Sequence, residues 1–178
     1  MKKLLLILPL ILILCFMVGC QDKEAMAELE AFKAQAEVEE QNKELIRNYL
    51  AEVVKGNIDI VQKVCAANAL FYFPSNSSNP MSREEMLEGA KNSLRAFSDI
   101  NYKIEEMIAE GDEVLVRFIN QSTHKEEFAG IPATGKRIEF SGISLFRIED
   151  GMIVEEREEA DMLGMMTQLG MELRPKEE

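Results

Sequence analysis

The run Phe146-Arg147-Ile148-Glu149-Asp150-Gly151-Met152-Ile153-Val154 sets Glu-Asp-Gly between two apolar, β-prone flanks. Asp-Gly suits the left-handed backbone of a tight turn, so the run reads as a β-hairpin. Its second arm continues from Met152 to Ala160, and a short helix from Asp161 to Leu169, stopped by Gly170, closes the pattern. Upstream the same period of two recurs. Ile138 and Phe140 lead into Phe146 and Ile148, Val114 alternates with Val116 and Phe118, and Ile100 with Tyr102 and Ile104, with Gly111-Asp112 as a turn. Successive side chains of a strand face opposite ways, so each segment offers one apolar face to a core.

The first half of the chain has helical spacing instead. Residues 21–44 are rich in Ala, Glu, Lys and Gln and carry only the thin stripe Met26, Leu29, Phe32 and Ala36, which predicts a solvated helical stalk. The stripe strengthens at Leu45, Ile46, Tyr49, Leu50, Val53 and Val54 and stops at Gly56. Asn57 is suited to cap a second short helix carrying Ile58, Ile60, Val61 and Val64, with Cys65 on its apolar run. Ala69 to Phe73 reads as a short strand, residues 74–80 as an irregular loop, and Ser82 with Glu85 as a capping box. The helix behind that box shows Met86, Leu87, Ala90, Leu94 and Phe97 on one face. Helices first and consecutive strands after them give an α+β class: a curved antiparallel sheet wrapped around the N-terminal helices. A sheet bent in this way encloses a cavity, a common place for a small-molecule ligand.

The N-terminus predicts an envelope address. Lys2 and Lys3 precede an apolar stretch of 15 residues, Leu4 to Val18, which ends in Gly19-Cys20 and turns polar at Gln21. A bilayer span needs roughly 20 residues, whereas this length suits the apolar region of a signal peptide. Gly19-Cys20 resembles a lipobox, with Met17 where Leu is usual, so Cys20 is the expected lipidation site. The expected division is a leader over 1–19, a lipidated tether over 20–40 and one domain over 41–174. Gln21, rather than Asp, after the lipidated cysteine points to the outer membrane in a Gram-negative cell. Loss of Lys2 and Lys3 with the leader takes the net charge from −12 to −14. That balance excludes nucleic acid as a partner and leaves membrane attachment to the lipid. Cys65 is then the lone thiol of the domain, a candidate for inert burial, and no cysteine–histidine pattern has metal-ligand spacing.

The blocks Gly130-Ile131-Pro132-Ala133-Thr134-Gly135-Lys136, Phe146 to Gly151, Ile153-Val154-Glu155-Glu156, Asp161-Met162-Leu163-Gly164 and Gln168-Leu169-Gly170 follow one another in a distinctive order. With Tyr49 and Val53 to Asp59 in the helical half, they resemble the SnoaL-like polyketide cyclase, or ester cyclase, family over roughly residues 41–170. The resemblance implies a cone-shaped α+β barrel of the nuclear transport factor two-like superfamily. It also implies intramolecular aldol chemistry without metal or cofactor, and pairing through exposed sheet faces as a homodimer. In the family an aspartate takes a carbon-bound proton and later returns one. Asp161 matches that position, and His124 matches a Thr-His pair on the preceding strand. Tyr49 and Arg157 are the expected substrate contacts.

Each assignment has a plainer competitor. Asp161 is also a good N-cap for the helix that follows it, worth about 1 kcal/mol. His124 on a strand is also a satisfied structural histidine. Arg157 stands where the family carries Trp. On a regular strand it shares a side with Asp161, where it lowers the carboxyl's pKa or takes an anionic ligand. Otherwise it is a surface arginine neutralised within the acidic run Glu155 to Glu159, which reads as a solvated strand edge. Two functions follow: a cofactor-independent acid/base catalyst acting on a small carbonyl compound, or a non-catalytic module that binds a small molecule or partner at the membrane surface.

Overall fold

The computed structural model describes residues 4–172 and 174, with side chains from Lys23 onward, so the Cys20 side chain lies outside the described residues. The chain divides into two compact units, Met1–Val38 and Glu39–Glu178. Helix α1, Leu4–Val54, contributes to both. In the first unit every side chain from Lys23 to Val38 is exposed, Phe32 and Met26 among them. Such a thin apolar stripe has nothing to bury against within its own unit. Among the described residues no helix is long and apolar enough to cross a membrane.

In the second unit the closing turns of α1 bury Ile46 and Tyr49. Asn42 Nδ2 donates to the Gly111 carbonyl at 3.1 Å, and Gly111 N–H donates to Glu39 at 3.0 Å, which fixes these turns to a strand connection. Gly56, at φ +88°, ends the helix in the left-handed conformation that glycine adopts without strain. Helix α2 is Asp59–Val64, and its N-cap is Ile58 rather than Asn57. The Asn57 side chain instead turns back on α1, its Nδ2 donating to Glu52 at 2.8 Å.

Strand β1 is Cys65–Tyr72, longer at its start than expected, and Cys65 belongs to it rather than to a helix. The cause is tertiary: β1 pairs in parallel with the last strand, Cys65 facing Ile153 and Tyr72 facing Arg157. The short β2, Met81–Ser82, runs antiparallel to β1. Helix α3, Arg83–Ala96, opens with the expected capping box, Ser82 Oγ accepting from Glu85 N–H and the Glu85 carboxylate accepting from Ser82 N–H. Strands β3 (Phe97–Glu110), β4 (Glu113–His124), β5 (Arg137–Glu149) and β6 (Met152–Ala160) form a meander. The sheet order is β2-β1-β6-β5-β4-β3.

Two expectations are corrected here. The sheet is mixed rather than antiparallel, because β1 joins it in parallel. Strand β6 is interior, with β1 on one side and β5 on the other, so the acidic run Glu155 to Glu159 is not a sheet edge. The core lies between the inner sheet face, with Val114, Val116, Phe118 and Phe146, and Ile46, Tyr49 and Leu87 from the helices. A second cluster joins Phe97 and Ile138 to Met165 and Leu169 of helix α4, Met162–Leu169. Gly170 ends α4 at φ +107°.

Candidate active site

A cavity of about 470 Å³ opens between the helices and the sheet. Helix α1 supplies Tyr49, Leu50 and Val53 to its wall, and α3 supplies Met86 and Ala90. The sheet supplies Phe118, Phe140 and the polar groups Tyr102, Asn120, Glu156 and Glu158. An adjoining cavity of about 210 Å³ shares Asn120, Phe140 and Glu158 and reaches Met162 and Met165 of α4. The wall is mostly apolar, with polar groups gathered at one end, the usual constitution of a small-molecule site.

Several polar atoms of this wall are without partners among the described residues. The Tyr49 hydroxyl, on a side chain 1% exposed, has no hydrogen-bond partner among the described residues. The same holds for Asn120 Oδ1 and Glu156 Oε2. Tyr102 stacks on Phe118 with ring centroids 4.6 Å apart, and its hydroxyl lies near Ser144 without completing a good hydrogen bond. Each buried polar atom left unpaired costs about 1–3 kcal/mol, so a site with several is arranged to receive polar groups from elsewhere.

Glu156 and Glu158 lie two residues apart on one face of β6. Glu156 is 3% exposed, and burial first, then the Glu158 charge, holds its carboxyl well above the usual range. Burial also raises Glu158, against the Ser144 hydroxyl that donates to it at 2.9 Å. Burial likewise pushes the Tyr49 and Tyr102 phenols upward. Cys65, beneath the pair on β1, is wholly buried and its thiol is pushed up to about 12, by burial and then by the Glu156 charge.

Of the residues singled out in the sequence, Tyr49 lines this cavity. Asp161 is exposed, accepts from Gly164 N–H at 2.7 Å as the N-cap of α4, and lines neither cavity. His124 is wholly buried beside Phe97, ring centroids 5.2 Å apart, and accepts at Nδ1 from Thr134 N–H at 3.3 Å. That bond places the proton of a neutral ring on Nε2, which has no partner among the described residues. Arg157 faces away from the cavity: it binds Glu155 at 2.7 Å, donates to the Ser75 carbonyl at 2.8 Å and stacks 3.8 Å over the Tyr72 ring.

Five consecutive charged residues, Glu155 to Glu159, read as solvated, which hides Glu156 and Glu158 in the sequence. The pleat carried the missing signal. Alternate residues of a strand face opposite ways, so a strand with one face on a core sends some of Glu155 to Glu159 inward. Which ones depended on the irregularity opposite Arg147 and Ile148, where Ile148 pairs with Ile153 and Arg147 with Glu155. The extra residue, Val154, leaves Ile153, Glu156 and Glu158 on the inner side.

A family model described as SnoaL-like polyketide cyclase matches residues 43–169. Comparison with curated proteins found no match. Among solved structures, AclR of Streptomyces galilaeus, assigned as a hydroxylase, superposes with a TM-score of 0.68 at 26% identity, covering 74% of this chain and 97% of its own. Wild-type IdmH of Streptomyces antibioticus, assigned as a polyketide cyclase, gives 0.65 at 26% identity, covering 74% and 99%. A protein of Jannaschia sp. CCS1 assigned as a SnoaL-like polyketide cyclase shares the fold, with a TM-score of 0.68 at 24% identity over 74% and 92% of the two chains.

Proposed function

The chain belongs to the SnoaL-like polyketide cyclase family, and from that premise we propose that it is a cofactor-independent acid/base catalyst, an aldol-type cyclase or isomerase, acting on a small apolar carbonyl compound. The observation that carries this reading is the cavity of about 470 Å³ with the unpartnered Tyr49 hydroxyl at its polar end. Removing a proton beside a carbonyl drives charge onto the carbonyl oxygen. Phenol donors in an apolar enclosure stabilise that oxygen far better than water does, because they are already oriented. The family's proton-transfer position falls on Asp161, with His124 as its helper in the resemblance, but neither residue lines the cavity.

We also place the protein at the membrane surface, on a lipid at Cys20, after removal of residues 1–19. The support is the Lys2-Lys3, Leu4 to Val18, Gly19-Cys20 order. A mass spectrum of the mature N-terminal peptide is expected to start at acylated Cys20, with the modification lost in Cys20→Ser; an intact Met1 peptide would overturn the placement.

The catalytic reading is tested with 2-tetralone, an apolar ketone with an activated methylene, by following deuterium exchange at that carbon in D2O by proton NMR. Acceleration over buffer, abolished by Tyr49→Phe with Tyr102→Phe, is expected. Retained binding without any exchange would identify a non-catalytic module instead.

A further inference from the structure

We infer that Glu156 and Glu158 are the cavity's own proton-transfer pair, Glu158 acting as the base on the substrate carbon and Glu156 as the acid beside its oxygen. The inference rests on the reaction class proposed above and differs from it in the group that moves the proton. Three observations meet here. Both carboxyl groups line the cavity, on one face of one strand, whereas Asp161 and His124 do not line it. Glu156 Oε2 and the Tyr49 hydroxyl, both on side chains more than nine-tenths buried, are without partners among the described residues and belong to that same wall. The described residues lining the cavity include no Lys, Arg or His, so no cation neutralises the pair from within.

The remaining neighbours decide which carboxyl holds the charge. Ser144 on β5 donates to Glu158 at 2.9 Å, an interaction that favours the ionised form. Glu156 Oε2 has no partner among the described residues, and its group acts on Cys65 of β1, whose carbonyl accepts from Arg83 of α3 at 3.3 Å. Tyr49 from α1 and Tyr102 from β3 face the pair as neutral phenols. Two carboxyls that feel each other's charge in an apolar wall resist ionising together, and Glu156, raised by burial and then by the Glu158 charge, is the one that keeps its proton.

The step then balances without any co-reactant. The C–H bond beside the carbonyl breaks, its proton passes to Glu158, and the electron pair moves through carbon to the carbonyl oxygen. Glu156 and the phenols donate hydrogen bonds to that enolate. In a cyclase the enolate carbon next forms a bond to a second carbonyl carbon of the same substrate, and the proton on Glu158 passes to the new alkoxide. In an isomerase that proton returns to a different carbon. A positioned general base typically contributes about 10²–10⁴-fold.

The test is the 2-tetralone exchange assay on the full chain with Glu158→Gln, Glu156→Gln and Asp161→Asn, joined to a carbon-13 carboxyl titration of the wild type. Loss of about 10²-fold or more in Glu158→Gln, a smaller loss in Glu156→Gln and an Asp161→Asn rate within about threefold of wild type are expected. Exchange lost in Asp161→Asn but kept in Glu158→Gln would overturn the pair while leaving the catalytic reading in place. A wild type no faster than buffer would remove both. The titration is independent of the probe: two separated steps, both above an ordinary glutamate, are expected, and two ordinary glutamate curves would overturn the pair by themselves. Circular dichroism of each variant distinguishes a lost fold from a lost proton.

Discussion

Ser144 on β5 donates its hydroxyl proton to Glu158 on β6 at 2.9 Å, across a pair of strands that brings the two residues directly opposite each other. Ser144 is wholly buried and Glu158 partly so. This is the hydrogen bond that lets one carboxylate of the cavity carry charge in an apolar wall. Without it, burial acts on Glu158 unopposed.

Ser144→Ala is therefore expected to raise the Glu158 titration further. It should also cost about 1.5–3 kcal/mol of stability at a pH where Glu158 is ionised, the usual worth of a hydrogen bond to a charged group. Carbon-13 titration and urea unfolding measure the two effects. A Glu158 midpoint that stays put or falls would contradict the role given to the hydroxyl.

The raised Glu156 carboxyl also makes stability depend on pH in a definite sense. In the unfolded chain a glutamate releases its proton near about pH 4.3. In the folded chain Glu156 holds its proton to higher pH, through burial and then the Glu158 charge. The native state thus binds the extra proton, and its stability is greatest below the unfolded value and declines as pH rises toward the folded one. Glu156→Gln has no proton to lose. Its unfolding free energy, followed by urea denaturation from about pH 4 to about pH 9, is expected to decline less than that of the wild type. Equal slopes would show that Glu156 is not the source.

Gly142 on β5 pairs with Phe118 on one side and Ala160 on the other. A Cβ there would come within 2.5 Å of the Phe118 ring and 2.8 Å of the Glu159 carbonyl oxygen. Phe118 is 1% exposed, stacks on Tyr102 and lines the cavity, so it has little room to yield. Gly142→Ala should cost about 1–3 kcal/mol by overpacking and slow 2-tetralone exchange by displacing Tyr102. An unchanged urea midpoint would mean that the ring moves freely.

Arg157 and Glu159, on the outer face of β6, hold Ser75 from both sides: Arg157 donates to its carbonyl at 2.8 Å, and Glu159 accepts from its N–H at 3.0 Å. The segment so held runs between Phe73 and Met81, which are both cavity-wall residues. Arg157→Ala is expected to speed amide exchange over residues 74–80 while costing no more than about 1 kcal/mol globally, since its pairs are partly exposed. Unchanged exchange at Ser75 would show that the loop needs no such tie.

Much of this architecture was open to direct reading. The Ser82–Glu85 capping box, the Asp150-Gly151 turn and the stops at Gly56 and Gly170 are local devices, whose geometry follows from residues a few positions apart. Asp161 as an N-cap is of the same kind. Tyr49 was accessible from the helical stripe together with the family resemblance. Glu156 and Glu158 do not stand out in the sequence, because which of five charged neighbours faces inward depends on a strand irregularity and on what packs against the sheet.

The sequence by itself determined the element types, their order, most of their limits and the α+β class, because period, capping and turn chemistry act between near neighbours. Tertiary structure alone decided that β1 docks in parallel against β6, and so turned an apparent acidic edge into an interior strand. The reason is that strand pairing joins residues 85 positions apart, as Tyr72 and Arg157 are, and no local preference encodes the partner. With β6 interior and helices α1 and α3 against its inner face, Glu156 is buried and the cavity has its polar end.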